Sequence, residues 1–222
     1  RSTLFPYTTL FRSTNFAVRR RGPRTAPGPG RKRGASPLKE VRPTSGRVLL
    51  ALFSILDSMR GAVGSQEGVR FLDLFAGTGR VGLEALRRGA ASVIFVESVR
   101  ARAQTIERSV PHTAPGSAAV LNLELRRAIA WLHRRKKVFD VVFADPPYHE
   151  GWGAALPGIG GLAELLAPGG VMVVEHSVRE PLTVPPGEWR VESEREYGET
   201  VLTFLSPDRK STRLNSSHTN LS

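Results

Sequence analysis

The 222-residue sequence predicts an α/β fold, a doubly wound and mainly parallel sheet that finishes with an antiparallel C-terminal hairpin. Three observations carry this. Apolar runs of strand length alternate with segments of helical period between Val69 and Glu175, the pattern of a sheet covered by helices on both faces. The first of these runs, Val69–Leu74, leads through the glycine-rich stretch FAGTGRVG directly into a helical pattern. The last two runs flank only Tyr197-Gly198, and strands joined by so short a connection pair antiparallel.

Each element has its own warrant. Within Val41–Met59, Pro43 followed by Thr44 and Ser45 marks a helix start. Val48, Leu49, Leu52, Phe53, Ile55, Leu56 and Met59 then form an apolar face at helical spacing. Val69–Leu74 is a strand; Val81, Leu83 and Leu86 give a helical pattern after it, with Gly89 as its C-terminal cap. Ser92–Val96 is a strand ending at Glu97, Ala101–Val110 a helix, His112–Ser117 a loop, Ala118–Leu123 a strand and Ala128–Arg135 a helix. The apolar run from Val138 to Ala144 is a buried parallel strand broken by Asp145-Pro146-Pro147-Tyr148. A glycine-rich loop, HEGWGAALPGIGG, precedes a short helix around Leu162–Leu166, and Pro168-Gly169-Gly170 turns into strand Val171–Glu175. Trp189–Glu194 and Glu199–Leu205 form the hairpin. No internal repeat is visible.

Composition narrows the function. With no Cys, disulfides, thiolate metal sites and cysteine nucleophiles are excluded. No apolar stretch approaches the roughly 20 residues of a membrane span, and a cytoplasmic protein is expected. The net charge of +12 is local. Residues 14–39 carry eight Lys or Arg and no acid, whereas residues 40–207 carry 19 of each sign. The Gly, Pro and Arg-rich segment 14–39 is therefore expected to be a flexible basic arm, either solvated or bound to a polyanion. Residues 1–13 and 208–222 lack any core-compatible period and resemble translated sequencing-adapter read-through, so they are expected to be artefactual extensions of a domain spanning residues 40–207.

Gly77, Gly79 and Gly82 satisfy G-x-G-x-x-G between a strand and a helix, with Glu97 twenty residues beyond Gly77. That is the dinucleotide fingerprint, so an NAD-dependent oxidoreductase is one reading. Asp73, four residues before Gly77, opposes it, because a carboxylate at the strand tip repels a pyrophosphate. S-adenosylmethionine carries an ammonium and a sulfonium and no phosphate. For that cofactor Asp73 is an asset, and Glu97 can accept hydrogen bonds from ribose hydroxyls.

The Asp-Pro-Pro-Tyr fits the same chemistry. An exocyclic amine of a base is a poor nucleophile, since its lone pair is delocalised into the ring. The Asp145 carboxylate and the Pro146 carbonyl can hold its two hydrogens, Pro146 and Pro147 fix the backbone, and Tyr148 offers a face to stack on an extruded base. Rate then comes from positioning, with no metal.

DLFAGTGRVGLEALRRGA, VIFVE, FDVVFADPPY, LLAPGGVMVVEHS and REYGETVLTFL together resemble the bacterial RsmD-type methyltransferases, from about Val41 to Leu205. The resemblance implies a class I, Rossmann-like methyltransferase of seven strands, transferring methyl from S-adenosylmethionine to guanine N2 in 16S ribosomal RNA. It implies cofactor contacts at Asp73, Phe75, Ala76, Gly77, Gly79 and Glu97, with Glu124 the candidate near the adenine. Asp145, Pro146, Pro147 and Tyr148 would hold the guanine, and Arg42, Thr44 and Arg47 would contact RNA. A monomer acting on ribosomal RNA, free or in an assembled particle, is expected. Leu49 and Leu50 stand where the family usually has Arg and Glu.

Three rivals remain at this level: a DNA amino-methyltransferase, the NAD enzyme, and a non-enzymatic RNA-binding protein with a decayed site. His176 is expected to be a structural or surface histidine and not a base, and Arg134–Lys137 either touches phosphate or is a solvated helix end.

Overall fold

A computed structural model describes residues 45–60, 66, 68–110, 116–148 and 150–208. The arm at 14–39, the two terminal extensions apart from Asp208, and Arg42 and Thr44 lie outside the described residues.

The elements run α1 (Gly46–Arg60), β1 (Arg70–Leu74), α2 (Arg80–Arg87), β2 (Ser92–Val96), α3 (Arg100–Ser109), β3 (Ala118–Leu121), α4 (Leu125–Arg134), β4 (Phe139–Ala144), α5 (Trp152–Ala155), β5 (Leu166–Ser177), β6 (Trp189–Tyr197) and β7 (Thr200–Pro207). They build one seven-stranded sheet of order β3-β2-β1-β4-β5-β7-β6. β3, β2, β1, β4 and β5 are parallel to one another, while β7 runs antiparallel to both β5 and β6. This is the doubly wound sheet with a terminal hairpin that the sequence predicts.

Strand alternation divides the core into two layers. Phe71, Phe95, Phe143, Val173 and Phe204 pack with Leu52, Phe53 and Leu56 of α1 and Val81 and Ala85 of α2. Leu72, Val96, Val142 and Met172 face the other way onto Leu125, Ala128, Ile129 and Leu132 of α4. Gly89 ends α2 with φ +89°, the left-handed value that favours glycine. There the Gly89 and Ala90 N–H groups donate to the carbonyls of Leu86 and Ala85, closing a Schellman cap.

A buried polar cluster ties α1 to α2, and nothing in the periodicity announces it. Asp57 accepts from Gln66 and from the Arg88 guanidinium at 3.3 Å, and Arg88 also covers the Phe53 ring at 4.7 Å.

Three expectations shift in detail. The helix expected around Leu162–Leu166 is a single 3-10 turn, Ala163–Leu165, after which the chain is already extended. Pro168-Gly169-Gly170 is not a turn before the strand but an irregularity inside β5, where the pairing shifts between Phe139 and Val141. A side chain at Gly170 would lie 3.0 Å from the Phe139 carbonyl, a tight fit where β5 passes β4. The expected loop after Tyr148 contains the short helix α5.

Candidate active site

The site follows from register. Leu74 of β1 pairs with Val96 of β2 on one side and Ala144 of β4 on the other, and Ala144 pairs with Val174 of β5. The next residues Phe75, Glu97 and Asp145 therefore leave three adjacent strands at one level, beside Glu175 within β5. The order reverses between β1 and β4, and in an open parallel sheet the crevice at that switch point, at the carboxyl ends, is where ligands bind.

On the β1–β2 side a loop is held by two acids. Asp73, only 2% exposed, accepts the Gly82 N–H at 2.9 Å with Oδ2, in the first turn of α2. Glu97 is buried and accepts from the Gly77 N–H at 2.9 Å and the Val99 N–H at 2.7 Å. Each carboxylate oxygen has further lone pairs for a ligand. Phe75, Gly77 and Gly79 all lie in the left-handed region, at φ 58°, 57° and 76°. A side chain at Gly79 would meet Ile106 at 2.9 Å, and one at Gly82 would meet Phe95 at 2.3 Å, so this loop needs glycine for packing as well as for conformation.

Burial pushes the Asp73 carboxyl up to about 7, against the lowering effect of the Gly82 N–H, and the nearby Glu97 charge raises it further. Among the described residues no Lys or Arg pairs with Asp73 or Glu97. Two acids without a protein cation suit a cationic ligand and oppose a pyrophosphate.

On the β4 side Asp145 and Tyr148 are half-buried, Pro146 is buried and Pro147 is exposed. The two sides touch through a pair that the sequence reading misses: Trp152 of α5 meets Phe75 edge-on, ring centroids 5.0 Å apart. A lone tryptophan in a glycine-rich loop carries no periodic signal. Asn122 is missed too; its amide donates to the Glu97 and Ser98 carbonyls at 2.8 and 2.9 Å, fixing the backbone after β2.

The remaining candidates are placed as follows. Ala76 is buried in the loop, and its N–H donates to the Val96 carbonyl at 2.9 Å. Glu124 is exposed at the N-cap of α4, and Arg47 is exposed in the first turn of α1. Leu49 is packed in the core, whereas Leu50 is 63% exposed. His176 is buried, with Nε2 2.8 Å from the Thr203 hydroxyl, which agrees with its structural reading. No group of three or more His, Asp or Glu that could hold a metal occurs among the described residues, nor any helix long and apolar enough to cross a membrane.

Strand order, antiparallel β7 and an acid-lined glycine loop at the switch point define a class I methyltransferase. The same fold occurs in an RNA methyltransferase from Salinibacter ruber solved with S-adenosyl-L-homocysteine, at 18% identity and TM-score 0.55, covering 75% of this chain and 95% of that one. More narrowly, the chain belongs to the family described as Conserved hypothetical protein 95, whose model matches residues 28–206, and it is of RsmD type. It is 32% identical over 175 residues to Ribosomal RNA small subunit methyltransferase D of Escherichia coli (strain K12), covering 78% of this chain and 82% of that protein. A hypothetical protein of Thermus thermophilus is similar in structure at 32% identity and TM-score 0.62, covering 76% of this chain and 90% of that one.

Proposed function

We propose that this protein transfers a methyl group from S-adenosylmethionine to the N2 amine of a guanine in 16S ribosomal RNA. The observation that carries the reading is the β1–β4 register, which sets the acid-lined loop and Asp145-Pro146-Pro147-Tyr148 side by side at the switch point. The cofactor fits the residues present: its positive charge answers Asp73 and Glu97, and Gly77 and Gly79 allow close backbone approach. When bound, it supplies an electrophilic methyl on a sulfonium.

The chain's own residues then do three things. Asp73 and Glu97 hold the loop by its amides and favour a cation within it. The Asp145 carboxylate and the Pro146 carbonyl accept the two N2 hydrogens, aligning the nitrogen lone pair with the methyl group. Tyr148 stacks on the guanine turned out of its helix. The bound sulfonium would supply the methyl group and keep the S–C electron pair, leaving as S-adenosylhomocysteine, and the proton released from the N2 amine would pass to solvent. Arg42, Thr44, Arg47 and the basic arm at 14–39 contribute RNA contacts, Glu124 sits toward the adenine, and the protein acts as a cytoplasmic monomer without a metal. The names of the ribosomal RNA methyltransferase relatives support RNA over DNA.

The test is methyl transfer from labelled cofactor to 16S ribosomal RNA, free and in small subunits, with duplex DNA as comparison and the product base mapped. Methylguanine on RNA with the wild type and none with Asp145→Ala is expected. Transfer to DNA alone, or to another base, overturns the proposal.

A further inference from the structure

We infer that the exposed face of α4 is a second RNA-binding surface, which grips the phosphate backbone of the substrate away from the target base. The inference rests on the ribosomal RNA reading above and goes beyond it, because α4 contributes nothing to the crevice chemistry.

The segment Leu125–Lys137, LRRAIAWLHRRKK, carries six cations and no acid, although residues 40–207 as a whole are balanced. α4 buries Leu125, Ala128, Ile129 and Leu132. Arg126, Ala130 and Arg134 lie on one exposed row at a spacing of four, with Arg127 beside them. That row spans about 12 Å along the helix. It starts just after the carboxyl end of β3, on the rim that carries the candidate site, and runs toward the start of β4.

Helix stability alone does not explain these charges. Cations at a helix C-terminus complement its dipole, which accounts for Arg134 and its neighbours, but Arg126 and Arg127 sit in the first turn, where the dipole disfavours them. Glu124 at the N-cap is the one acid beside them. Nor does the protein neutralise them. Arg70, Arg87, Arg88, Arg179 and Arg190 all pair with carboxylates, yet among the described residues none of the six does.

The far end is instead ordered for presentation. Arg135 stacks on the Trp131 ring at 3.8 Å. Lys136 occupies the left-handed position of a Schellman cap, φ 50°, where Gly or Asn is usual, and the Lys136 and Lys137 N–H groups donate to the His133 and Leu132 carbonyls. His133 is fixed by the Gly161 carbonyl at 2.6 Å. Unneutralised, ordered cations in a row match a polyanion's repeated charges. The β6–β7 edge of the sheet, by contrast, is Glu-rich, with Glu192, Glu194, Glu196 and Glu199 in or beside the hairpin.

The test compares the full chain with a triple variant, Arg126→Ala, Arg127→Ala and Arg134→Ala. For each, binding to 16S ribosomal RNA is titrated against salt, alongside kcat, KM for RNA and affinity for S-adenosylhomocysteine. Expected are RNA binding weakened about tenfold or more and a salt slope shallower by roughly 0.7–0.9 for each lost phosphate contact. At saturating RNA, kcat is unchanged, as is affinity for S-adenosylhomocysteine. A control of Arg179→Ala with Arg190→Ala, both paired residues, leaves the slope alone. An unchanged slope and KM in the triple variant overturns the inference and leaves the function standing. Loss of binding to the assembled subunit but not to naked RNA also overturns it, since the face then meets protein. A wild type that neither binds nor methylates ribosomal RNA removes the functional reading itself.

Discussion

The two halves of the crevice are built differently. On the β1–β2 side the glycines are there because neighbours leave no room: added side chains at Gly79 and Gly82 would strike Ile106, Phe95 and Val93. The β4 side is mixed: side chains added at Gly151 and Gly160 would meet nothing within 4 Å, whereas one at Gly161 would meet His133 at 2.6 Å. The acids differ likewise, Asp73 and Glu97 being buried and bound to backbone amides while Asp145 is only half-buried. A cofactor common to many reactions can be met by a loop set in advance by packing. A base extruded from a folded RNA needs a side with space to admit it.

The largest expected effect tests how far Asp73 is desolvated. Its folded-state value of about 7 lies above the ordinary 3.8, so the native protein binds a proton that the unfolded chain releases. Stability from this group is full below about pH 4 and is lost as pH rises to about 7, where the slope vanishes. The three-unit difference corresponds to at most about 4 kcal/mol. Urea denaturation of the ligand-free protein at pH 5 and pH 8 spans about two of the three units and is expected to show a loss of roughly 2.5 kcal/mol, and Asp73→Asn to remove it. A cationic cofactor favours the ionised form, so affinity for S-adenosylmethionine rises with pH up to about 7 in the wild type but not in the variant. Identical pH profiles for the two proteins would mean that Asp73 stays solvated and the contrast between the halves is overstated.

Asp145→Asn attacks the other half. Losing one aligned acceptor is expected to lower kcat by about 10²–10³, with affinity for S-adenosylhomocysteine unchanged, as judged by single-turnover transfer and calorimetry. A matching loss of cofactor affinity would show that Asp145 belongs to both halves.

Packing comes next in size. Gly82→Ala places a methyl group 2.3 Å from Phe95 and is expected to cost about 1–3 kcal/mol in a denaturant titration. Gly160→Ala, with open space around it, should be within about 0.5 kcal/mol of wild type. Equal costs would erase the steric distinction.

Legibility in the sequence divides along the same line. The loop and its acids are contiguous or at a fixed spacing from Gly77, so strand-then-glycine patterning locates them, and the bounds it gives β2, Ser92–Val96, are those observed. What stays hidden depends on contacts between distant segments. Asn122 reaches back to the Glu97 carbonyl, Asp57 meets Arg88, and Gly170 lies tight against the Phe139 carbonyl of another strand. Pro168-Gly169-Gly170 resembles a turn in isolation, and only its pairing with β4 makes it an irregular strand. The side chains of Asp73 and Glu97 are expected from sequence to face cofactor, but a sequence cannot show that both already hold loop amides.

The smallest effect concerns the joint between the halves. Phe75, at the end of β1, and Trp152, after the Asp145–Tyr148 segment, form a direct aromatic contact between them. An edge-to-face pair contributes about 0.5–1.5 kcal/mol, so Trp152→Ala is expected to weaken cofactor and RNA binding by roughly 2–10-fold, with Trp152→Phe restoring most of the loss. If the pair couples the sites, S-adenosylhomocysteine improves RNA affinity in the wild type by a factor that shrinks in Trp152→Ala, as the reciprocity of linked binding requires. Trp152 emission, isolated by Trp131→Phe and Trp189→Phe, should then change on cofactor addition alone. A coupling factor that is the same in wild type and Trp152→Ala would make the contact mere packing, and the two halves independent.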